Sequence, residues 1–274
     1  MMQRIEKTFA GRKLTIETGR MAKQAAGSAL VTFGETMVLA SVTVSDKQTT
    51  LDFFPLLVEY REKTYAAGKI PGGFIKREGR PHDHEILAAR VIDRSIRPLF
   101  PEGFKNEVQV FIYVISADQE NDADVLGLLA ASFALNASKI PFAGPIAATR
   151  IGRVQDKWVL NPTFQQLEFS DMELVVAGSK DSIVMVEGGA LEVSEEDVLE
   201  ALTISHKGIG ELIGAQEELL KLMGKERPSK MDWKKATPPD NVSAAVKKLA
   251  EGKIVEALNQ KDKQTRVQAV EKVK

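Results

Sequence analysis

The chain has 274 residues, of which 43% are hydrophobic and 27% are charged, a composition typical of a soluble globular protein with one large domain and a smaller unit. It contains no cysteine, which excludes disulfides and cysteine metal ligands and is compatible with a reducing compartment. A formal net charge of −1 excludes bulk attraction to a polyanion, so any contact with nucleic acid must depend on local charge.

Residues 1–12 alternate charged and apolar side chains and lack the apolar core of a signal peptide. No later stretch approaches the roughly 20 apolar residues of a membrane-spanning helix. We therefore expect a cytoplasmic protein that makes no contact with a membrane.

The first half of the chain mixes strand and helix patterns. Two β-branched runs between Ser28 and Val44, broken at Gly34 and Glu35, predict a β-hairpin, and the glycines and prolines of 69–81 predict a loop. Helices are predicted over 84–96 and 125–138, with a buried strand over 108–116 between them.

The second half continues this mixture. Strands are predicted over 145–154, 157–160, 173–177 and 182–187, a turn at Gly188–Gly189, and a long helix that opens at Ser194. Strands and helices sharing one core predict an α+β fold.

The composition changes near residue 224. A segment rich in Lys, Pro and Ser without apolar periodicity predicts a linker over 225–240, which separates a domain over 1–224 from an Ala-, Lys- and Glu-rich helical segment over 241–274. Because this last segment shows no terminating signal, we expect the chain to end inside a helical unit, part of which lacks its packing partners.

The balanced net charge hides a basic segment. Between Arg61 and Lys105 there are ten Lys or Arg residues against six Asp or Glu. Arg90, Arg94 and Arg97 fall within about 60° on a helical wheel, and this stripe is either a solvated face or a track for phosphates. The second reading gains weight from three basic residues in the glycine-rich loop just upstream, where backbone can approach a phosphate: Lys76, Arg77 and Arg80.

Two further features of this region have competing interpretations. Phe74, beside Ile75 at the crown of the loop, is either a platform for stacking single-stranded bases or a ring that folds back onto its own loop. His82 and His84 are expected to be surface histidines rather than metal ligands, because residues two apart on a helix do not share a face.

Several long motifs carry a resemblance to a known family. The stretches Ile70–Pro81 (IPGGFIKREGRP) and Ala89–Phe104 (ARVIDRSIRPLFPEGF), with Gly34–Thr36 and Ile140–Pro145, closely resemble the first ribonuclease PH-like domain of bacterial polynucleotide phosphorylases. The similarity runs through the whole chain, and the Ala-rich tail resembles the start of the family's helical domain.

The resemblance implies a fold, an activity and partners. Complete members carry two ribonuclease PH-like domains joined by a helical domain, followed by two small RNA-binding domains, and they form a ring-shaped homotrimer. With inorganic phosphate and magnesium they degrade single-stranded RNA from its 3′ end and release nucleoside diphosphates. The second ribonuclease PH-like domain, missing from this sequence, carries the phosphorolytic centre.

The resemblance also assigns roles to residues. Phe74, Ile75, Lys76 and Arg77 match a loop that grips RNA, although members usually show two aromatics and two arginines there, and Arg90, Arg94 and Arg97 match arginines implicated in RNA binding. Ile75 and Lys76 therefore weaken the stacking and bidentate contacts expected of that loop.

A phosphorolytic centre is not expected in this chain. Where active domains hold phosphate in a serine-rich loop, the sequence has Asn121-Asp-Ala-Asp124, whose carboxylates repel an anion and are expected to serve helix capping or solvation. The positions of two aspartates and a lysine around a metal hold Leu167, Glu173 and Val175, so neither a catalytic residue nor a metal is expected.

Three functional readings remain. The leading one is the RNA-binding, ring-building part of a phosphorolytic exoribonuclease that is inactive alone. The second is a free-standing RNA-binding or assembly module without an enzymatic role, and the third is a self-sufficient phosphorolytic enzyme that recruits Asp122, Asp124 and Glu173.

Overall fold

The computed structural model describes residues 2–50, 52–224, 228–233 and 237–274. Contacts divide the chain into two units, Met1–Trp233 and Lys234–Lys274. The first unit contains ten strands and four α-helices: β1 (Gln3–Phe9), β2 (Arg12–Thr18), β3 (Gly27–Phe33), β4 (Thr36–Gln48), β5 (Leu56–Glu62), α1 (Asp83–Ile96), β6 (Asn106–Ser116), α2 (Asp124–Ala137), β7 (Ala147–Val154), β8 (Lys157–Leu160), α3 (Phe164–Leu167), β9 (Ser170–Gly178), β10 (Ile183–Ala190) and α4 (Glu195–Met223). The second contains α5 (Asp240–Leu258) and α6 (Lys263–Val273).

A six-stranded sheet forms one layer of the first unit, in the order β1-β2-β3-β4-β6-β5. All neighbours are antiparallel except β5 and β6, which run parallel and leave β5 at the edge. The predicted hairpin is confirmed: β3 and β4 pair with Phe33 opposite Thr36, and Gly34 turns the chain with a φ of 61°.

A four-stranded antiparallel sheet, in the order β10-β9-β7-β8, contains the four strands predicted after residue 145. The predicted turn at Gly188–Gly189 is wrong, because both glycines lie within β10. A Cβ at Gly188 would lie 2.0 Å from the carbonyl oxygen of Glu173 on β9. The glycine therefore permits a close approach of two strands rather than a reversal of the chain.

Helix α2 lies at the centre of the core. All of its residues are buried, and it contacts β3, β4 and β6 of the larger sheet as well as β7 of the smaller one. It begins near the end of β6, as the predicted strand–loop–helix order requires. Helix α1 covers β5, and α4 contacts β7 and β1, so that the helices join the two sheets.

Among the described residues, three strands and one α-helix have no counterpart in the sequence prediction: β1, β2, β5 and α3. In β1 the exposed Lys7 lies between the buried Ile5 and Phe9, so the alternation of apolar residues that identifies a strand is incomplete. The single turn of α3 is too short to show a period at all.

The first unit extends beyond the predicted boundary at residue 224. The ammonium of Lys230 donates to the carbonyl oxygens of Leu135, Asn136 and Ser138, the last at 2.9 Å, where α2 ends. The amide of Met231 donates to the carbonyl oxygen of Lys139 at 2.7 Å. Residues 228–233 therefore dock on the first unit, whereas 225–227 and 234–236 of the predicted linker lie outside the described residues.

The second unit consists of two helices, as the composition of 241–274 predicts. The carboxylate of Asp262 caps α6 by accepting the Thr265 amide at 2.8 Å, and this lowers the pKa of Asp262. Among the described residues, no helix is both long and apolar enough to cross a membrane.

Candidate RNA interface and buried acidic cluster

The glycine-rich loop 69–81 is anchored near its C-terminal end. The carboxylate of Glu78 accepts the Lys63 ammonium at 2.9 Å and the Thr64 amide at 2.8 Å, and these contacts lower the pKa of Glu78. One residue further on, the Arg61 guanidinium donates to the carbonyl oxygen of Gly79 at 3.2 Å. The loop is thereby attached to the end of β5 and to the 3-10 helix that follows it, Thr64–Ala67.

The crown of the loop points into solvent. Phe74 is 101% exposed and Ile75 is 70% exposed, so the reading in which Phe74 folds back onto its own loop is wrong. Gly73 and Lys76 both have positive φ, at 77° and 56°. Among the contacts of the described residues, the side chains of Lys76, Arg77 and Arg80 make no hydrogen bond or ion pair, which leaves their donors available to an anion.

Helix α1 is fixed to β5 at its start. The buried carboxylate of Glu85 accepts the amide of His82 at 2.6 Å and the amide of Glu62 at 2.9 Å, which closes the first turn of the helix on the edge strand. His82 and His84 are exposed, as expected, and His84 Nε2 lies 3.0 Å from a carboxylate oxygen of Glu62.

The three arginines of the predicted stripe have three different environments. Within the described residues Arg90 makes no polar contact through its side chain, while Arg94 pairs with Glu187 of β10 at 2.6 Å. Arg97 binds Asp93 through two hydrogen bonds of 2.9 and 2.6 Å and donates to two carbonyl oxygens before and within β5. Its donors are thus occupied at the sheet edge, and Arg90 is the arginine of this stripe that is left available.

The predicted residues line two different cavities. Arg77 and Arg80 share a cavity of about 330 Å³ with Arg61 and His82, beneath the loop. Arg90 and Arg97 line a cavity of about 350 Å³ between α1 and β5. The structure therefore places Arg77 and Arg80 in a cavity that three glutamates also line, and it places Arg90 and Arg97 in a separate cavity.

A cluster of ionised side chains surrounds the start of α2. Arg150 of β7 binds Asp122 at 2.8 Å, Asp124 at 2.6 Å and the carboxylate of Glu173 on β9. The side chains of Arg150 and Asp124 are each 11% exposed. These four residues, named here the Arg150 cluster, connect the helix start to the smaller sheet.

Burial and charge perturb the ionisation of the Arg150 cluster. Burial raises the pKa of Asp124 above its usual range and the neighbouring charge of Asp122 raises it further, while Arg150 opposes both. Burial alone would lower the pKa of Arg150, but the three carboxylates outweigh it and hold the pKa above its ordinary value. One arginine thus faces three acidic side chains.

The Arg150 cluster corrects the expected role of the two aspartates. Asp122 does accept the Asp124 amide at 3.2 Å, as a cap would, but Asp124 is buried against Arg150 rather than solvated. The adjoining cavity of about 340 Å³ is lined by five carboxylates, against Arg150 and His84: Glu62, Asp122, Asp124, Glu173 and Glu187. A phosphate placed there would face mainly negative charge.

The positions that match the family's metal-binding residues do not form a metal site. Glu173 is engaged by Arg150, Val175 is apolar, and Leu167 lies on α3 outside the lining of that cavity. Across the described part of the chain, no group of three or more acidic or histidine side chains has the arrangement to hold a metal ion. Of the three matching positions, only Glu173 offers an oxygen ligand, and Arg150 already engages it.

The loop before α2 is held by another carboxylate. Asp118 accepts the amides of Glu120 and Asn121, each at 2.9 Å, and the Asn121 side-chain amide at 2.6 Å. Burial alone would raise the pKa of Asp118, but these hydrogen bonds lower it to about 2. A further hydrogen bond from the Glu35 amide, at 3.3 Å, ties this loop to the β3–β4 turn.

Sequence reasoning missed Arg150, Glu78 and Arg61. Arg150 lies 26 residues from Asp124 in the chain, and its neighbours in β7 are ordinary strand residues, so no local pattern marks it. Glu78 had a signal, because it is the acid enclosed by Lys76, Arg77 and Arg80 in a basic loop. An isolated acid in such a loop indicates an internal partner.

Comparison with known proteins places this geometry in a family. The 3′ exoribonuclease family matches twice: its domain 1 over residues 10–141 and its domain 2 over residues 144–208. A solved chain of the Archaeoglobus fulgidus exosome, from a structure with RNA bound to the active site, has a TM-score of 0.59, is 20% identical, and covers 81% of this chain and 88% of its own. That likeness shows a shared fold.

Curated relatives are much more similar in sequence. The polyribonucleotide nucleotidyltransferase of Gemmatimonas aurantiaca is 79% identical over 273 residues, covering 100% of this chain, and that of Bacillus subtilis is 49% identical over 266 residues, covering 97%. The chain spans 37% of the length of each. The chain has an α+β ribonuclease PH-like fold, matches two domains of one family, and has similar relatives along its whole length. It therefore belongs to the 3′ exoribonuclease family and aligns with part of the polyribonucleotide nucleotidyltransferases.

Proposed function

We propose that this chain is the part of a phosphorolytic 3′-to-5′ exoribonuclease that binds single-stranded RNA, and that it has no phosphorolytic centre of its own. The observation that carries the RNA-binding proposal is the loop crown. There a fully exposed Phe74 stands beside three basic side chains that have no partner within the described part of the chain: Lys76, Arg77 and Arg80. An exposed aromatic ring provides a stacking surface for any base, and the cations bind the backbone.

The proposal that the chain has no phosphorolytic centre rests on the Arg150 cluster. An active domain of this family needs space and positive potential for phosphate before α2, and here that cavity is lined by carboxylates around a single arginine. Arg150 already binds Asp122, Asp124 and Glu173, so phosphate would have to compete with these carboxylates. This observation argues against the self-sufficient enzyme.

The remaining parts of the proposal come from the relatives. We propose that activity requires the second ribonuclease PH-like domain, that magnesium acts there, and that the complete protein is a cytoplasmic homotrimeric ring to which this chain contributes. These statements concern a protein as long as the Gemmatimonas aurantiaca relative, of whose length this chain spans 37%.

RNA binding is tested by fluorescence anisotropy with a labelled oligoadenylate. Phe74→Ala should weaken binding by about 5- to 150-fold, the loss of stacking on one base, with the salt dependence unchanged. Arg77→Ala should weaken binding and reduce the slope of log K against log salt by about 0.7, because one phosphate contact is lost.

Matched controls exist for both changes. Phe169 is 76% exposed outside the loop, and Lys157 on β8 is exposed, so Phe169→Ala removes the same ring elsewhere and Lys157→Ala removes one positive charge elsewhere. Equal losses in the control and loop variants would refute a specific interface and leave nonspecific attraction as the explanation.

Phosphorolysis is tested by release of nucleoside diphosphate from homopolymer RNA with phosphate and magnesium. The chain alone should be silent, and activity should appear when a separately made second ribonuclease PH-like domain is added. Turnover by the chain alone would contradict the proposal. Silence on mixing, together with RNA binding, would favour the free-standing RNA-binding module.

A further inference from the structure

We propose that Glu78 is a positioning residue that holds the RNA-binding loop in its binding conformation. This inference rests on the proposed RNA-binding function and adds a residue that the loop's exposed crown does not reveal. Glu78 has the same negative charge as RNA and would repel it, so its presence between Arg77 and Arg80 requires an explanation other than direct attraction.

The contacts of Glu78 supply that explanation. One carboxylate oxygen accepts both the amide and the hydroxyl of Thr64, at 2.8 and 3.2 Å, and the other accepts the Lys63 ammonium at 2.9 Å. Thr64 opens the 3-10 helix Thr64–Ala67, whose preceding residue provides no side-chain cap. Glu78 thus caps that short helix from 14 residues further along the chain.

The position of Glu78 fixes the backbone on which the basic side chains stand. It follows Arg77 directly and lies two residues before Arg80, and both arginines line the cavity beneath the loop. The Arg61 contact to Gly79 strengthens the same attachment. By contrast, glycines 72, 73 and 79 have open space around them, so tight packing does not hold the loop at these points.

Holding the loop should increase affinity because a disordered loop must be ordered when RNA binds. Charge and positioning predict opposite results for the loss of Glu78. If only charge matters, removing an acid from a basic surface makes RNA bind more tightly. If Glu78 positions the loop, RNA binds more weakly even though the surface has become more positive.

The test compares Glu78→Gln and Glu78→Ala with Asp83→Asn in the full chain. Asp83 is an exposed acid at the start of α1 for which the described residues offer no side-chain partner, so its substitution removes the same charge without loosening the loop. We expect the Glu78 variants to bind labelled oligoadenylate about 3- to 10-fold more weakly than wild type, the cost of ordering one or two long side chains. Their salt slope should be unchanged, because the phosphate contacts remain.

A second measurement reads the loop without RNA. The Thr64 amide is bonded to Glu78, so hydrogen exchange of residues 64–81 should be faster in both Glu78 variants, while the urea midpoint of the whole first unit stays close to that of wild type. Unchanged exchange, or RNA affinity equal to or above that of Asp83→Asn, would overturn the proposal. Failure of the wild-type chain to bind RNA would refute the proposed function, and the exchange rates would still decide whether Glu78 pins the loop.

Discussion

Replacement of Arg150 by methionine should destabilise the first unit strongly. Methionine retains much of the aliphatic volume but leaves Asp122, Asp124 and Glu173 without their cation, with Asp124 buried. Removing one partner of a buried ion pair costs about 3–5 kcal/mol, because the remaining charge is uncompensated. The partial exposure of Asp122 and Glu173, at 28% and 45%, and the raised pKa of Asp124 reduce the expected loss to about 1–3 kcal/mol.

Protonation of Asp124 sets a ceiling on this loss. In the wild-type structure burial and the neighbouring Asp122 already raise the pKa of Asp124, so this buried acid takes up a proton at a much lower cost than an ordinary carboxyl. That cost falls further as the pH is lowered, so the loss caused by Arg150→Met should be smaller at about pH 5.5 than at about pH 7.5.

Urea unfolding monitored by tryptophan fluorescence measures this loss, since both tryptophans, Trp158 and Trp233, lie in the first unit. Lys139→Met is the control: its surface pair with Asp46, which is 85% exposed, is worth about 0–1 kcal/mol. Adding Asp124→Asn to Arg150→Met should recover stability, because the buried charge disappears. A loss below about 1 kcal/mol, or an equal loss at both pH values, would refute the charge-burial reasoning.

Three further predictions concern other contacts in the first unit. Gly27→Ala places a Cβ 2.2 Å from the Ala134 carbonyl oxygen and should lower the free energy of unfolding by about 1–3 kcal/mol. Gly210 on α4 has open space around it, so Gly210→Ala should raise the free energy of unfolding by about 0.5–1 kcal/mol. Urea midpoints of the two variants measure both changes. Because the pKa of Asp118 is lowered to about 2, its stabilising contribution is present above about pH 4 and is lost as the pH falls towards 2. Asp118→Asn should therefore flatten the curve of unfolding free energy against pH in that window. An unchanged slope would argue against the hydrogen bonds of Asp118. Lys230→Met removes the ammonium that three carbonyl oxygens accept, of which the Leu135 oxygen keeps donors from Ser138, and should cost about 1–3 kcal/mol in urea unfolding. A neutral result would show that water replaces the ammonium.

The elements with a strong local period were predictable from the sequence. The β3–β4 hairpin, the loop 69–81 and helix α1 each have a pattern confined to neighbouring residues: β-branched runs, clustered glycines, or apolar residues at helical spacing. The loop residues Phe74, Lys76, Arg77 and Arg80 followed from the same local evidence, because an aromatic ring and unpaired cations in a flexible loop have no core to enter.

Roles that depend on distant partners were not predictable in this way. Arg94 and Arg97 look equivalent on a helical wheel, yet one pairs with β10 and the other holds the edge of β5, which depends on which strand lies beside each turn of α1. Likewise Asp122 and Asp124 suggested caps, and only the pairing of β7 with β9 places Arg150 and Glu173 against them.

By itself, therefore, the sequence determined the family resemblance, the α+β class and the exposed basic loop, because each of these is encoded in contiguous residues. The tertiary structure decided which charged side chains bind partners within the chain: Arg97 at the sheet edge, Arg150 among three acids, and Glu78 in the anchor of the loop. The physical reason is that an ion pair depends on distances of a few ångströms between residues far apart in the chain, and strand order, which no local period encodes, sets those distances.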